Sequence, residues 1–182
     1  MRITGLGHAG MFIETRGGSI LCDPVMGPTF FGSWFPFPDN RGLDWERFGQ
    51  ADFLYISHRH FDPALLERYV PKDIRVLLPE YPTDDLEQDL RRLGYDNIVF
   101  TQAGVPLEFG PLTLMVTPLR APSDGPIGDS SLSVDDGTAS ILNQNDSHPL
   151  DLDKLMAFSK PEAYFTQVSG AIWWPMVYDL PQ

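Results

Sequence analysis

The chain has 182 residues, 42% of them hydrophobic and 21% charged, with a formal net charge of −12. This is the composition of one globular domain with room for a core, not of a disordered segment. The acidity serves solubility and argues against nucleic acid and against an anionic membrane surface as partners. No apolar run approaches the roughly 20 residues of a membrane span. The start, Met1-Arg2-Ile3-Thr4, lacks the basic and apolar regions of a signal peptide. The single cysteine, Cys22, excludes an internal disulfide framework and fits a reducing, cytoplasmic compartment. Its place in an apolar strand reads as a buried, inert thiol.

In chain order, three short strands come first: Ile3 to Leu6, Met11 to Thr15 and Ser19 to Cys22. Gly7-His8-Ala9-Gly10 and Gly17-Gly18 punctuate them as turns. Gly27 to Asp44 is a long loop carrying Phe30, Phe31, Trp34, Phe35 and Phe37. So many aromatics suggest a packed lid or a pocket wall, or else a loop that covers the core. Phe53 to Ile56 is a short buried strand. Asp62-Pro63 opens a helix to about Tyr69, with Asp62 as its N-cap.

Val76 to Leu78 is a strand. Thr83 to Leu93 is an amphipathic helix capped by Thr83, with Arg91 and Arg92 in its last turn and Gly94 as its stop. The segments 98–101, 106–109, 112–117, 131–135 and 138–142 are further strands, with Asp136-Gly137 as a hairpin turn between the last two. Leu152 to Phe158 is a helix and Ala163 to Gln167 a strand. The result is a β-rich α/β sandwich with several strands ahead of the first helix.

The chemistry concentrates in Ser57-His58-Arg59-His60-Phe61-Asp62. Side chains alternate along an extended segment, so a His-x-His at a strand end aims two imidazoles into one space. Two neutral imidazoles and a carboxylate suit zinc or iron. A pair of surface loop histidines is the alternative. A second strand ends at Ile141-Leu142-Asn143-Gln144-Asn145-Asp146. Asp146 would be a ligand if that strand lies near His58, and otherwise an Asx turn or helix cap. Asp129 follows a polar loop and could carry a carboxylate to the same place. His8, in its glycine-flanked turn, could ligate or hydrogen-bond. His148 reads as exposed.

These motifs resemble the metallo-β-lactamase superfamily. They are Leu6-Gly7-His8-Ala9-Gly10, Leu21-Cys22-Asp23-Pro24, Ser57-His58-Arg59-His60, residues 124–130, Asn143-Gln144-Asn145-Asp146 and residues 169–178. The nearest branch looks like the bacterial proteins similar to CMP-N-acetylneuraminate hydroxylase. The resemblance implies a four-layer αβ/βα sandwich with a metal site at the strand ends, and makes Asp146 the candidate bridging carboxylate. It implies metals that activate water for hydrolysis, or bind dioxygen when they are iron.

The superfamily pattern His-x-His-x-Asp-His is broken here. Either Pro63 replaces the last His, or Phe61-Asp62-Pro63 is the segment that follows the motif and three residues are missing. The second alignment, which is preferred, makes Asp62 a helix cap only. No His follows His148, and relatives of this kind continue beyond Tyr178. The resemblance therefore implies a single domain, residues 1–182, shortened at its C-terminal side.

The expected protein is a metal-dependent hydrolase-like or non-haem iron oxygenase-like domain with a reduced site and weak or no activity. It would hold zinc or iron, at most one ion per chain or none, through His58 and His60 with Asp62 or Asp146. His8 and Asp129 would stand behind or beside the ion, and Trp34, Phe35, Trp173 and Trp174 would wall the pocket. The substrate is a small molecule, and a homodimer would cover apolar surface left by the shortened sandwich. The alternatives are an inactive binding or oligomerising module and a truncated or engineered fragment.

Overall fold

A computed structural model of the chain describes residues 1–29, 32, 34–119, 128–145, 147 and 152–166. The elements are β1 (Arg2–Gly7), β2 (Gly10–Thr15), β3 (Gly18–Cys22), α1 (Trp45–Gly49), β4 (Phe53–Tyr55), α2 (Pro63–Tyr69), β5 (Arg75–Pro79), α3 (Asp85–Arg92), β6 (Ile98–Thr101), β7 (Leu107–Phe109), β8 (Leu112–Leu119), β9 (Asp129–Asp135), β10 (Ser140–Asn145), α4 (Leu152–Phe158) and β11 (Ala163–Thr166). One six-stranded sheet runs β1-β2-β3-β4-β5-β6. A second, five-stranded sheet runs β11-β10-β9-β8-β7. β3, β4, β5 and β6 are mutually parallel, and β10–β11 is the parallel pair of the second sheet.

Alternation along the strands builds two cores. Met11, Ile13, Ile20, Cys22, Phe53, Tyr55 and Leu77 point from the first sheet onto Leu112, Leu114, Val116, Leu132, Val134 and Ile141 of the second. Their neighbours Phe12, Leu21, Leu54, Val76 and Leu78 point the other way. They pack under α1, α2 and α3 through Trp45, Phe48, Leu65, Leu66, Leu86 and Leu90. Leu155 of α4 is buried on the second sheet's side. This is the αβ/βα sandwich that the sequence predicts. The parallel strands β3 and β4 both end on one side, and there the chain gathers its polar groups.

Several boundaries differ from the sequence expectation. The helix at 85–92 starts after Asp84 with no side-chain cap bond, so Thr83 is not its cap. The strand expected from Thr138 begins at Ser140. Thr138 N and Oγ1 and Ala139 N instead donate to Asp136 Oδ1, at 3.0, 2.7 and 2.9 Å, which extends the turn. α1 lies just beyond the expected Gly27–Asp44 loop, in a stretch to which the sequence reading assigns no element. The last expected strand is seen to Thr166, and Gln167 lies outside the described residues.

Candidate metal centre

Three residues beyond β4, a central strand of its sheet, stand His58 and, two further on, His60. Their rings meet edge to face, with centroids 4.7 Å apart and planes at 84°. His58 is 5% exposed. The strand end thus presents two imidazoles side by side, as the His-x-His spacing predicts.

The Nδ1 side of His58 faces a buried polar network. Ser57 Oγ lies 2.7 Å from Nδ1, Asn145 Nδ2 3.4 Å and Asp129 Oδ1 3.8 Å. Asn145 Nδ2 also donates to Ser57 Oγ and lies 3.4 Å from Asp23 Oδ2. Asp23 Oδ1 in turn accepts from Ser57 N at 2.7 Å. Each partner arrives from a different element. Asp23 follows β3, Asp129 opens β9, and Asn145 closes β10 where its pairing with β11 shifts register. A second layer fixes the Ser57 carbonyl. Tyr81 Oη donates to it, Ser130 Oγ donates to it at 3.1 Å, and Tyr55 Oη lies 2.8 Å from Ser130 Oγ. Burial first, then the neighbouring Tyr81 and Asp23 charges, push the Tyr55 phenol well above its ordinary pKa. Tyr55 is therefore a neutral hydrogen-bonding group here.

Backbone conformation marks the same place. Among the described residues, three non-glycine residues adopt positive φ: His8 at 49°, Asp23 at 41° and Asn145 at 56°. Asp23 and Asn145 are members of the network around His58. Such conformations persist where surrounding contacts hold them, and they concentrate at functional sites.

The other expected site residues are distributed as follows. Trp34 packs against His60, with ring centroids 5.8 Å apart, and against His8 at 6.3 Å. Phe35 is 63% exposed, so most of its ring faces solvent rather than a pocket. Asp129 is buried on the Nδ1 side of His58, behind the ring. Asp62 is buried and caps α2, its Oδ1 accepting from Leu65 N at 3.0 Å. Its Oδ2 accepts from Met26 N and Gly27 N at 3.0 and 3.1 Å. The cap half of the Asp62 expectation is therefore what the fold displays. Asp146, Trp173 and Trp174 lie outside the described residues. Ser57, Asp23, Asn145, Ser130 and Tyr81 were not expected as site residues from sequence. The signal available for Asp23 was the end of a strand parallel to β4.

Among the described residues, no three His, Cys, Asp or Glu side chains come together to hold a metal ion. His58 and His60 nevertheless fit the imidazole part of a metal site. Metal-ligating histidines commonly have their second ring nitrogen held by a carboxylate, a carbonyl or a water; at His58 Nδ1 that place is taken by the Ser57 hydroxyl at 2.7 Å, with the Asp129 carboxylate 3.8 Å away. β10 ends beside His58 at Asn145, and Asp146 follows it directly in the chain. An open groove of about 710 Å³, lined in part by Arg59, Phe61, Asp62 and Arg92, flanks the histidine loop but is lined by neither imidazole.

No protein-family profile matches the chain. A protein of Mycolicibacterium smegmatis named as a Rieske 2Fe-2S iron-sulfur protein is 51% identical over 189 aligned positions. The match takes in 100% of this chain and 36% of that protein, so the chain spans about a third of the curated relatives it matches. Among solved structures, the diiron β-hydroxylase CmlA of Streptomyces venezuelae superposes with a TM-score of 0.65 at 21% identity. It covers 89% of this chain and 33% of CmlA. A protein of Veillonella parvula described as a possible metal-dependent hydrolase gives 0.68 at 16% identity, covering 89% of this chain and 69% of that one. With its two sheets and its helices outside them, the chain has the metallo-β-lactamase fold. Its structural neighbours thus include a diiron hydroxylase and a protein described as a possible metal-dependent hydrolase. No helix among the described residues is long and apolar enough to cross a membrane.

Proposed function

We propose that the chain is a metal-dependent domain that binds one iron ion through His58, His60 and the carboxylate of Asp146, and serves oxidation of a small molecule rather than hydrolysis. The observation that carries the metal reading is the edge-to-face His58–His60 pair, one member of which is held at Nδ1 by a buried polar network. Two imidazoles and one carboxylate are the ligand set of non-haem iron oxygenases. Ferrous iron there would supply dioxygen binding, whereas zinc would supply an activated water.

Oxidation is favoured by the relatives. A Rieske centre carries electrons and takes two Cys and two His ligands. Hydrolysis is redox-neutral and has no use for such a centre. This chain has a single cysteine and does not supply that ligand set itself. In this reading a separate iron–sulfur centre delivers the electrons and His58 and His60 hold the ion that uses them. Trp34 shields His60 on one side.

The test is anaerobic loading with ferrous iron or with zinc, followed by exposure to dioxygen or to a panel of ester, lactone and phosphodiester substrates. The reading expects one iron per chain, oxidised by dioxygen faster than free ferrous ion, with both properties lost in His58→Ala. Zinc-dependent turnover on the panel would instead make the domain a hydrolase. Failure to bind either metal would make it a binding module.

A further inference from the structure

The groove beside the histidine loop has a volume of about 710 Å³, within the roughly 300–1,000 Å³ of small-molecule sites. Pro28, Phe61, Ala64 and Leu93 give it an apolar lining, and Arg59 and Arg92 line it as well. Arg59 stands between His58 and His60 in the chain, and Arg92 is the last residue of α3. The groove therefore begins at the loop that carries the two imidazoles. A few polar groups on an otherwise apolar wall are what fix a ligand's orientation.

The charged groups decide which head group fits. Three carboxylates also line the groove, those of Asp62, Glu67 and Asp89. Asp62 is engaged by three backbone amides, Leu65 N at Oδ1 and Met26 N and Gly27 N at Oδ2. Asp89 is engaged by the two arginines, Oδ2 accepting from Arg59 Nε at 2.6 Å and Oδ1 from Arg92 Nη2 at 2.5 Å. Glu67 has a cation beside it: burial lowers the Lys72 pKa, and the Glu67 charge opposes that. Each guanidinium has five N–H donors. Arg59 gives one to Asp89 and holds Asp85 at 3.5 Å through Nη1. Arg92 gives one to Asp89 and one to the Gln88 carbonyl at 3.2 Å. Donors thus outnumber acceptors where the two arginines meet, and an acceptor-only group is their complement. A planar carboxylate matches the guanidinium fork. A doubly charged phosphate would meet Asp85, Glu67 and the field of a chain with net charge −12.

We infer that this groove is an anchoring subsite for a small apolar carboxylic acid, its carboxylate held by Arg59 and Arg92 and its apolar body lying on Phe61 and Leu93. Neither imidazole lines the groove, so it holds the acid and is not the reacting position. The role of the acid rests on the metal-binding reading given above, in which it is the small molecule presented to the ion on His58 and His60. Its binding does not need the ion.

The experiment is NMR titration of the nitrogen-15-labelled chain with phenylacetate and with hexanoate. Binding is read at the Arg59 and Arg92 Nε–H signals and at the Phe61 and Leu93 amides. Phenylacetamide and phenethylamine, which keep the apolar body and remove or reverse the charge, are titrated alongside. The expected result is saturable shifts from at least one of the acids, with the amide and the amine binding at least about tenfold more weakly than phenylacetate. Arg92→Gln, and Arg59→Lys, which keeps the charge and loses the fork, should each weaken the binding of the acids about tenfold. Arg91→Gln, one position away on α3 and outside the groove, should leave it unchanged.

No shift from either acid up to about 10 mM overturns the inference, as does an amide or amine that binds as tightly as the acids. So does an affinity untouched in both arginine variants. If those variants do not fold, the comparison of acid, amide and amine on the wild type decides. If the acids bind as expected while the wild type takes up no metal, the subsite stands and the proposed function falls. If the metal binds and the acids do not, the subsite alone falls.

Discussion

Asp62 and Met26 lie 36 positions apart in the chain and are joined by a 3.0 Å hydrogen bond from the Met26 amide to Asp62 Oδ2. The same carboxylate caps α2 through Leu65 N. It therefore ties the loop after β3 to the start of α2, immediately behind the histidines.

This predicts what Asp62→Ala will do. Loss of the cap costs about 1 kcal/mol, and leaving the Met26 and Gly27 amides without their acceptor costs about 1–3 kcal/mol more. Denaturant unfolding should show a loss of about 2–4 kcal/mol. Metal stoichiometry in the folded fraction should be unchanged. A variant of wild-type stability that has lost its metal would make Asp62 a ligand instead.

Gly128, at φ 82°, sits against the Tyr81 ring, and a Cβ there would run into Cδ1 and Cε1. Tyr81 in turn donates to the Ser57 carbonyl. Gly128→Ala should cost about 1–3 kcal/mol through strain and overpacking, and should weaken metal binding by moving the Ser57–His58 peptide. A thermal melt and a zinc titration check both effects. A variant with wild-type stability and affinity would show that the Tyr81 contact does not hold the loop.

Asp136 sets the acid limb of stability. Burial raises its pKa, but hydrogen bonds from Thr138 and Ala139 together outweigh burial and hold the carboxyl well below its ordinary value. A group depressed in the folded state contributes stability that is present above the unfolded pKa of about 3.9 and is lost as pH falls through the folded value. Asp136→Asn should therefore be less stable at neutral pH, and its stability should fall less steeply below about pH 4. Parallel curves for the two proteins across that range would contradict this.

The strands of the first sheet were legible because alternation decides them. Phe12 and Ile13, like Leu54 and Tyr55, are chain neighbours that pack on opposite faces of the sheet. The Asp62 cap was legible from Asp-Pro alone, and the His58–His60 pair from its place after an apolar strand. α1 was not, because five residues make too short a period to read and Trp45 and Phe48 belong equally to a packed loop. The shell of His58 was hidden for another reason. Asp23 reaches Ser57 across 34 positions and Asn145 reaches it across 88. Only the closing of two sheets brings those residues together.

The central claim is a single ion on the histidine pair. Its most direct test is elemental analysis of protein purified without chelator and again after loading with ferrous iron or zinc, in wild type, His58→Ala and His60→Ala. The account predicts at most one ion per chain in the wild type and at least a tenfold weaker affinity in either variant, since each removes one of the three protein ligands of the proposed site. Two ions per chain, or one ion retained at full affinity in both variants, would contradict it.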